Sequence, residues 1–253
     1  MAAIRKALKT HEPLEDPLDY LPCSYVAEYT KGQVIYNQDA PSTSIYLVLE
    51  GKVKVSRLAH GGRQVLVNIY GAEEIFGESA FVCLNRRPED NRRPEGAAAL
   101  EDTKLMTWNV SVVEELIMRQ PRLGIAFLKM LAHRTIQFAQ RIESSSRDSV
   151  AQRLARCLIN LSERMGTSQA DGSMKMAHFT HELLAEGIGT SREIVSYHMS
   201  QFRKQGYLQY SRKGIVLYRE AFDNWMREPS QNWAAFASNE PKHPSGGTAN
   251  LME

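Results

Sequence analysis

Cysteine is scarce in this chain of 253 residues: there are three, Cys23, Cys83 and Cys157, far apart and odd in number. Their number and spacing predict no disulfide framework, and they lack the paired spacing of metal ligands. Such scattered cysteines are typical of a protein in a reducing compartment. We therefore expect no metal site.

Long apolar runs and a strong excess of charge are also missing. No apolar stretch approaches ~18 residues, the length that crosses a bilayer. The first residues, MAAIRKALKTHEP, lack the apolar core of a secretion signal. We expect a cytoplasmic protein with no membrane partner. The formal net charge is only +2, so a surface that binds nucleic acid would have to be local.

Motifs of common enzymes are incomplete. HELLA at 181–185 has the histidine and glutamate of a zinc-protease helix, but Ala185 stands where the second histidine would lie. No GxxxxGK[ST] phosphate loop occurs. We therefore expect no catalytic residues and no enzyme activity.

The segment from Gly32 to Asn109 has the pattern of a β-rich domain. It contains the short runs QVIYN, SIYLVLE, KVKVSRL, RQVLVNIY and TKLMTW, separated by turn sequences. Gly51 in LEGKVKV suits a tight turn, because glycine adopts a positive φ at low cost. Many short strands at this spacing predict a β-sandwich or β-roll.

The period becomes helical after Trp108. Asn109 or Ser111 is predicted to cap a short helix, and Pro121 to open a long one. A 3-4-3-4 seam runs along the long helix: Leu128, Leu131, Thr135, Phe138 and Ile142. Two interpretations stay open, packing on the helix's own domain and a dimer seam, and we favour the dimer seam. The polar SSSRDS at 144–149 predicts a hinge, after which helix resumes and ends at Gly166.

The segment from Phe179 to Tyr218 predicts a winged helix-turn-helix. Thr180 would cap a first helix that Gly187 and Gly189 break. Thr190 or Ser191 would cap a second helix that stops at Gly206, and the apolar runs YLQY and IVLY then flank SRKG as a wing. Six basic residues and one acidic residue lie between 189 and 219, a local charge of +5 that suits a phosphate-facing surface.

The sequence resembles the Crp/Fnr family of bacterial transcription regulators over roughly residues 20–225, through LEGKVKV, FGESAF, ALEDTKL and IGTSREIVSYHMSQFRKQGYL. The resemblance implies an α+β fold: an N-terminal β-roll of the double-stranded jelly-roll type, a long dimerisation helix and a C-terminal winged helix-turn-helix. We predict a lead-in at 1–20, a cyclic-nucleotide-binding-like sensor at 21–120, a dimerisation helix and hinge at 121–148, a DNA-binding domain at 149–228 and a disordered tail at 229–253.

The resemblance also implies partners. They are double-stranded DNA with a near-palindromic site, a second copy of the chain, and RNA polymerase if the protein is an activator. The implied DNA-binding residues are Thr190, Ser191, Arg192, Glu193, Ser196, Tyr197, Arg212 and Lys213. Tyr197 stands where many relatives carry a second base-reading arginine, so we expect a half-site related to TGA with a weaker guanine preference there.

An effector site is implied by Gly77 and Glu78, which match the Gly-Glu pair of nucleotide-binding relatives. The phosphate-binding arginine is Arg87 counted forward from this pair and Arg93 counted back from ALED, because NRRPEDNRRPEG at 85–96 nearly repeats a six-residue unit. We interpret NRRPED at 85–90 as an inserted duplicate.

Whichever arginine is used, Pro and Glu follow it where the family has Ser/Thr and Ala, and Phe138-Ala139 replaces the Thr-Ser that reads adenine. These departures disfavour cyclic AMP bound in the usual way. A different cyclic nucleotide, another small effector or none stays open.

Other chemistries of this family fit less well. Its iron–sulfur sensors need four cysteines, so we expect no iron–sulfur cluster. A haem would need an axial ligand such as His60 or Cys83, but a lone histidine in a polar loop and a lone cysteine beside apolar residues are typical of surface and core positions. Two alternative functions remain: a cyclic-nucleotide-binding regulator that acts through protein partners, and an effector-independent DNA-binding regulator.

Overall fold

The computed structural model describes residues 16–59, 64–83 and 91–227. The chain forms two compact units that divide between Arg147 and Asp148. Among the described residues, no helix has the length and apolar character that crossing a bilayer requires.

The first unit contains two four-stranded antiparallel sheets, which confirm the predicted β-roll. Their orders are β1-β8-β3-β6 and β2-β7-β4-β5. The strands are β1 (Tyr25–Tyr29), β2 (Val34–Tyr36), β3 (Ser44–Glu50), β4 (Val53–Leu58), β5 (Gln64–Tyr70), β6 (Ile75–Phe76), β7 (Gly96–Ala99) and β8 (Thr103–Asn109). A 3-10 turn at Pro17–Asp19 precedes them, and the short helix α1 (Ser79–Cys83) lies between β6 and β7.

Alternating burial on these strands forms the core. Val53 and Val55 of β4 are buried together with Val48, Phe76 and Leu105 from strands of the other sheet. The turn from β3 to β4 requires glycine, as predicted. Gly51 has φ +87°, and a Cβ there would lie 2.5 Å from the carbonyl oxygen of Asp102.

Two helices complete the first unit. Asn109, and not Ser111, caps α2 (Val110–Arg119), because its side chain accepts a hydrogen bond from the Ser111 N–H at 3.0 Å. Pro121 opens α3 (Pro121–Arg147), whose first turns are buried through Leu123, Ala126 and Phe127.

The second unit is a helical motif with a four-stranded antiparallel sheet in the order β11-β12-β10-β9. Its elements are α4 (Val150–Met165), β9 (Thr167–Ser168), β10 (Met174–Met176), α5 (His181–Ile188), α6 (Arg192–Lys204), β11 (Leu208–Ser211), β12 (Gly214–Leu217) and α7 (Arg219–Arg227). Leu158, Leu184, Val195 and Phe202 are among its fully buried side chains. The predicted winged helix-turn-helix is therefore confirmed, with an additional strand pair and a closing helix.

Two of the predicted breaks are wrong in detail. Gly187 lies inside α5 and does not break it. The helix ends at Ile188, and Gly189 alone terminates it as the C-cap, with φ +70°. A glycine inside a helix lowers its stability by only about 1 kcal/mol relative to alanine. The burial of Leu183 and Leu184 offsets this loss and keeps the turn that contains Gly187 helical. The predicted hinge at 144–149 is also shorter, because α3 continues to Arg147 and the next helix begins at Val150.

Candidate DNA-binding motif and effector site

The two helices of the motif have well-defined starts. The Thr180 hydroxyl accepts a hydrogen bond from the Leu183 N–H at 3.2 Å, as predicted for the first helix. Ser191 caps the second helix by accepting from the Ile194 N–H at 3.4 Å. Thr190 is not the cap: its N–H donates to the Ala185 carbonyl at 3.1 Å, and its hydroxyl oxygen is buried. Thr190 is therefore part of the turn, and its hydroxyl is poorly placed to contact DNA.

One face of α6 carries the predicted base-reading residues. Arg192, Glu193, Ser196 and Tyr197 lie at helical spacing on the side away from the core, and the first two are exposed. Two hydrogen bonds hold the pKa of the Glu193 carboxyl below its usual range. The larger effect comes from the backbone N–H of Glu193 itself, and the smaller one from the Ser191 side chain. The start of α6 therefore presents a guanidinium and a carboxylate side by side.

The wing, defined as β11, β12 and their turn, places its two basic residues in solvent. Arg212 and Lys213 are exposed at the turn, and the Lys213 N–H donates to the Ser211 hydroxyl at 3.1 Å. These two cations add to the positive charge of the motif.

His181, the histidine of the incomplete zinc motif HELLA, contacts the recognition face, defined as the face of α6 that carries Arg192, Glu193, Ser196 and Tyr197. Its Nδ1 lies 2.7 Å from the Ser196 hydroxyl oxygen. Its ring also meets Tyr210 of the wing edge-on, with centroids 5.6 Å apart. The two bonded residues are 15 positions apart in the chain, so no local pattern could have revealed the pair.

Arg93 is the predicted effector residue whose surroundings differ most from expectation. It is only 1% exposed. Its Nη1 donates to the Gly77 carbonyl at 2.8 Å and to the Ser79 hydroxyl at 3.1 Å, and its Nη2 donates to the Ser44 carbonyl. The guanidinium carbon also lies 4.3 Å from the centroid of the Tyr36 ring. Arg93 is thus packed as an interior residue.

Arg93 belongs to the second copy of the repeat, and backbone hydrogen bonds to Asp39 and Ala40 hold it in place. The Arg93 N–H donates to the Ala40 carbonyl at 2.8 Å, and its own carbonyl accepts from the Asp39 N–H at 2.9 Å. The first copy, with Arg87, lies outside the described residues. Gly77 is tightly enclosed with φ +84°, and a Cβ there would lie 3.1 Å from Nη1 of Arg93. Of the two alternatives, the described structure brings Arg93 to Gly77.

Glu95 lies in the same network. The Ser79 hydroxyl, which accepts from Arg93, donates to Oε1 of Glu95 at 2.7 Å. Burial raises the pKa of the Glu95 carboxyl above its usual range, against the opposing effects of the Ser79 hydrogen bond and the Arg93 charge. A hydroxyl therefore connects the guanidinium to a carboxylate of the same chain.

Glu78, the other predicted effector residue, is bound by the long helix. Nη1 of Arg134 in α3 donates to Oε1 of Glu78 at 2.6 Å, and Nη2 donates to the Ile75 carbonyl. The Arg134 guanidinium also lies 5.1 Å from the Tyr70 ring centroid. This ion pair fixes α3 to the β-roll at the predicted effector site.

The seam residues of α3 lie beyond its buried first turns. Leu128 is 67% exposed, Phe138 40% and Ile142 69%, whereas Leu131 is half-buried. The exposed Thr135 hydroxyl donates to the Leu131 carbonyl at 2.9 Å.

Among the described residues, no cluster of three or more histidine, cysteine or acidic side chains could hold a metal ion.

Comparisons with known sequences agree with this architecture. Residues 26–120 match the cyclic nucleotide-binding domain family, and residues 152–223 match the Crp-like helix-turn-helix domain family. The chain belongs to the Crp/Fnr family of DNA-binding transcription regulators.

Individual Crp/Fnr proteins are moderately similar to it. The CRP-like cAMP-activated global transcriptional regulator of Mycobacterium tuberculosis is 25% identical over 191 residues, covering 75% of this chain and 82% of that protein. The global nitrogen regulator of Nostoc sp. is 24% identical over 194 residues, covering 77% and 85%. The structure of FixK2 from Bradyrhizobium japonicum superposes with a TM-score of 0.68 at 23% identity, over 81% of this chain and 97% of that one. The last comparison supports the fold.

Proposed function

We propose that this Crp/Fnr protein is a homodimer that reads a near-palindromic DNA site through α6. In this proposal the β-roll at 21–120 regulates, residues 121–148 dimerise and residues 149–228 bind DNA, within the cytoplasm of a bacterium. The observation that carries it is the outer face of α6, where Arg192 and Glu193 are exposed at the helix start. An arginine fork suits guanine O6 and N7, and a carboxylate accepts from cytosine N4.

Selection of binding sites from random DNA tests this proposal. The expected motif has two inverted half-sites related to TGA, because a two-fold dimer reads both strands alike. Affinity for that site should fall steeply with salt, since each phosphate contact releases a counterion. A regulator that acts only through protein partners would enrich no motif.

Dimerisation by α3 is proposed from its exposed apolar residues. Leu128, Phe138 and Ile142 leave one apolar seam in contact with solvent within a single chain, and two such seams can bury each other across a two-fold axis. An activator of this design would also contact RNA polymerase.

The Phe138→Ala variant tests the seam. If the ring is fully buried between two copies, we expect its truncation to weaken the dimer by about 3–5 kcal/mol, measured as the dimer dissociation constant in sedimentation equilibrium. Val112→Ala is the control, because Val112 is a 47% exposed residue of α2 outside the seam. An unchanged dimer constant for Phe138→Ala would contradict the assignment.

The effector domain is proposed to work without a cyclic nucleotide held in the usual way. A cyclic phosphate at Arg93 would have to displace the carbonyls of Gly77 and Ser44, and it would meet the Glu95 carboxylate bonded to Ser79. Like charges repel, and a buried carbonyl that loses its donor costs about 1–3 kcal/mol. A ribose hydroxyl would likewise compete with Arg134 for Glu78. These contacts favour a regulator whose DNA-binding form needs no nucleotide.

A further inference from the structure

His181 and Ser196 form a polar pair between the two helices of the DNA-binding motif. His181 is the first residue of α5, and Ser196 lies on the outer face of α6 between the exposed start of the helix and Tyr197. Their bond, 2.7 Å between Nδ1 and Oγ, is short for a pair on the partly exposed side of the motif. Ser196 thus lies on the recognition face with one hydrogen-bonding position already used.

The surroundings of His181 favour the neutral imidazole. Partial burial holds the pKa of His181 below its usual value, and the nearby His178 and Arg192 act in the same direction. The start of α5 also disfavours a positive charge because of the helix dipole. The wing adds Tyr210 at the edge of the ring, with the Arg203 guanidinium 5.1 Å from the Tyr210 centroid. A neutral imidazole carries a single N–H, so one ring nitrogen donates and the other accepts.

The position of that proton decides what Ser196 offers to DNA. A serine hydroxyl has one proton and two acceptor lone pairs. If the Ser196 hydroxyl donates its hydrogen bond to Nδ1, its oxygen can only accept from a further partner, and the imidazole proton is on Nε2. Backbone phosphates are acceptors that bind at helix N-termini, and an Nε2–H at the first residue of α5 is a donor suited to one.

We propose that His181 is a specificity-positioning residue: its Nδ1 accepts a hydrogen bond from the Ser196 hydroxyl, its Nε2–H donates to a DNA phosphate, and Ser196 therefore accepts from a base amine. The bases with an amine in the major groove are adenine, at N6, and cytosine, at N4. This inference rests on the proposed function, because it requires α6 to enter the major groove.

The test compares the selected motifs of the wild type, Ser196→Ala, His181→Ala and the double variant. We expect the wild type to prefer one base pair over the other three at one position of each half-site. Both single variants should lose that preference at the same base pair, by about fivefold or more in relative affinity, and the double variant should lose no more than either single one. His178→Ala is the control and should keep the wild-type motif.

A conservative variant separates the two roles of the imidazole. The side-chain oxygen of asparagine can occupy the place of Nδ1, but the residue has nothing at the place of Nε2. His181→Asn should therefore keep the base preference. The slope of log affinity against log salt concentration should become shallower by about one, the change expected for one lost phosphate contact.

Several results would overturn the inference. They are an unchanged motif in His181→Ala, a loss of preference in the double variant that exceeds the loss in either single variant, and loss of base preference in His181→Asn. A wild type that enriches no motif would overturn the proposed function together with this inference. A clear wild-type motif that His181→Ala leaves unchanged would overturn this inference alone.

Discussion

Replacing Arg93 with alanine is expected to destabilise the first unit by roughly 2–4 kcal/mol in the absence of any ligand. The guanidinium donates to two backbone carbonyls, those of Gly77 and Ser44, and to the Ser79 hydroxyl. Without it these buried or partly buried acceptors lose their donor, and the ring of Tyr36 loses the cation stacked on it. Chemical denaturation of the purified variant measures the loss.

Arg92→Ala is the matched control, because Arg92 precedes Arg93 in the chain and is exposed. Its side chain donates to the Asp39 carbonyl at 2.9 Å from the surface, so its loss should cost well under half as much. Equal stabilities for Arg93→Ala and the wild type would show that Arg93 is kept for a ligand and not for the fold.

Replacing Arg192 with alanine is expected to weaken binding to the selected DNA site by about 1–3 kcal/mol and to relax the preference at one base pair. The physical reason is the loss of the proposed bidentate contact with guanine, whose selectivity a water molecule cannot reproduce. Competition binding against a panel of singly substituted sites measures both effects.

Arg212→Ala supplies the contrast. Arg212 lies at the exposed turn of the wing, where we expect it to contact a phosphate. Its loss should weaken binding to every sequence alike and reduce the salt slope by about one. If Arg192→Ala behaves in the same way as Arg212→Ala, then Arg192 holds a phosphate and the assignment of the base-reading residues is wrong.

The elements that local chemistry defines were predictable from the sequence. Ser191 caps α6 through a residue three positions away, and the positive φ of Gly51 follows from its own tight turn. The strand GAAA of β7 was not predictable, because alanine has little preference for strands. It is held there by its neighbours, with Ala97 paired to Val55 of β4 and to Tyr36 of β2.

The effector site shows the limit more clearly. The six-residue repeat left two possible arginines, and Arg93 is the one that the described residues hold, through backbone pairing with Asp39 and Ala40. Arg134 had no motif around it, yet it binds Glu78 from 56 residues away. Contacts between distant segments depend on the completed fold, so neither the burial of Arg93 nor the capture of Glu78 follows from local pattern.

A titration of the wild-type protein onto its selected DNA site, followed by fluorescence anisotropy, tests the central claim most directly. It is made once with no nucleotide and once each with saturating cyclic AMP, cyclic GMP and a cyclic dinucleotide. The account predicts salt-dependent, sequence-specific binding with no nucleotide present and no significant gain in affinity from any of them. Binding that requires one of these nucleotides, or that fails to distinguish the selected site from random DNA, would contradict it.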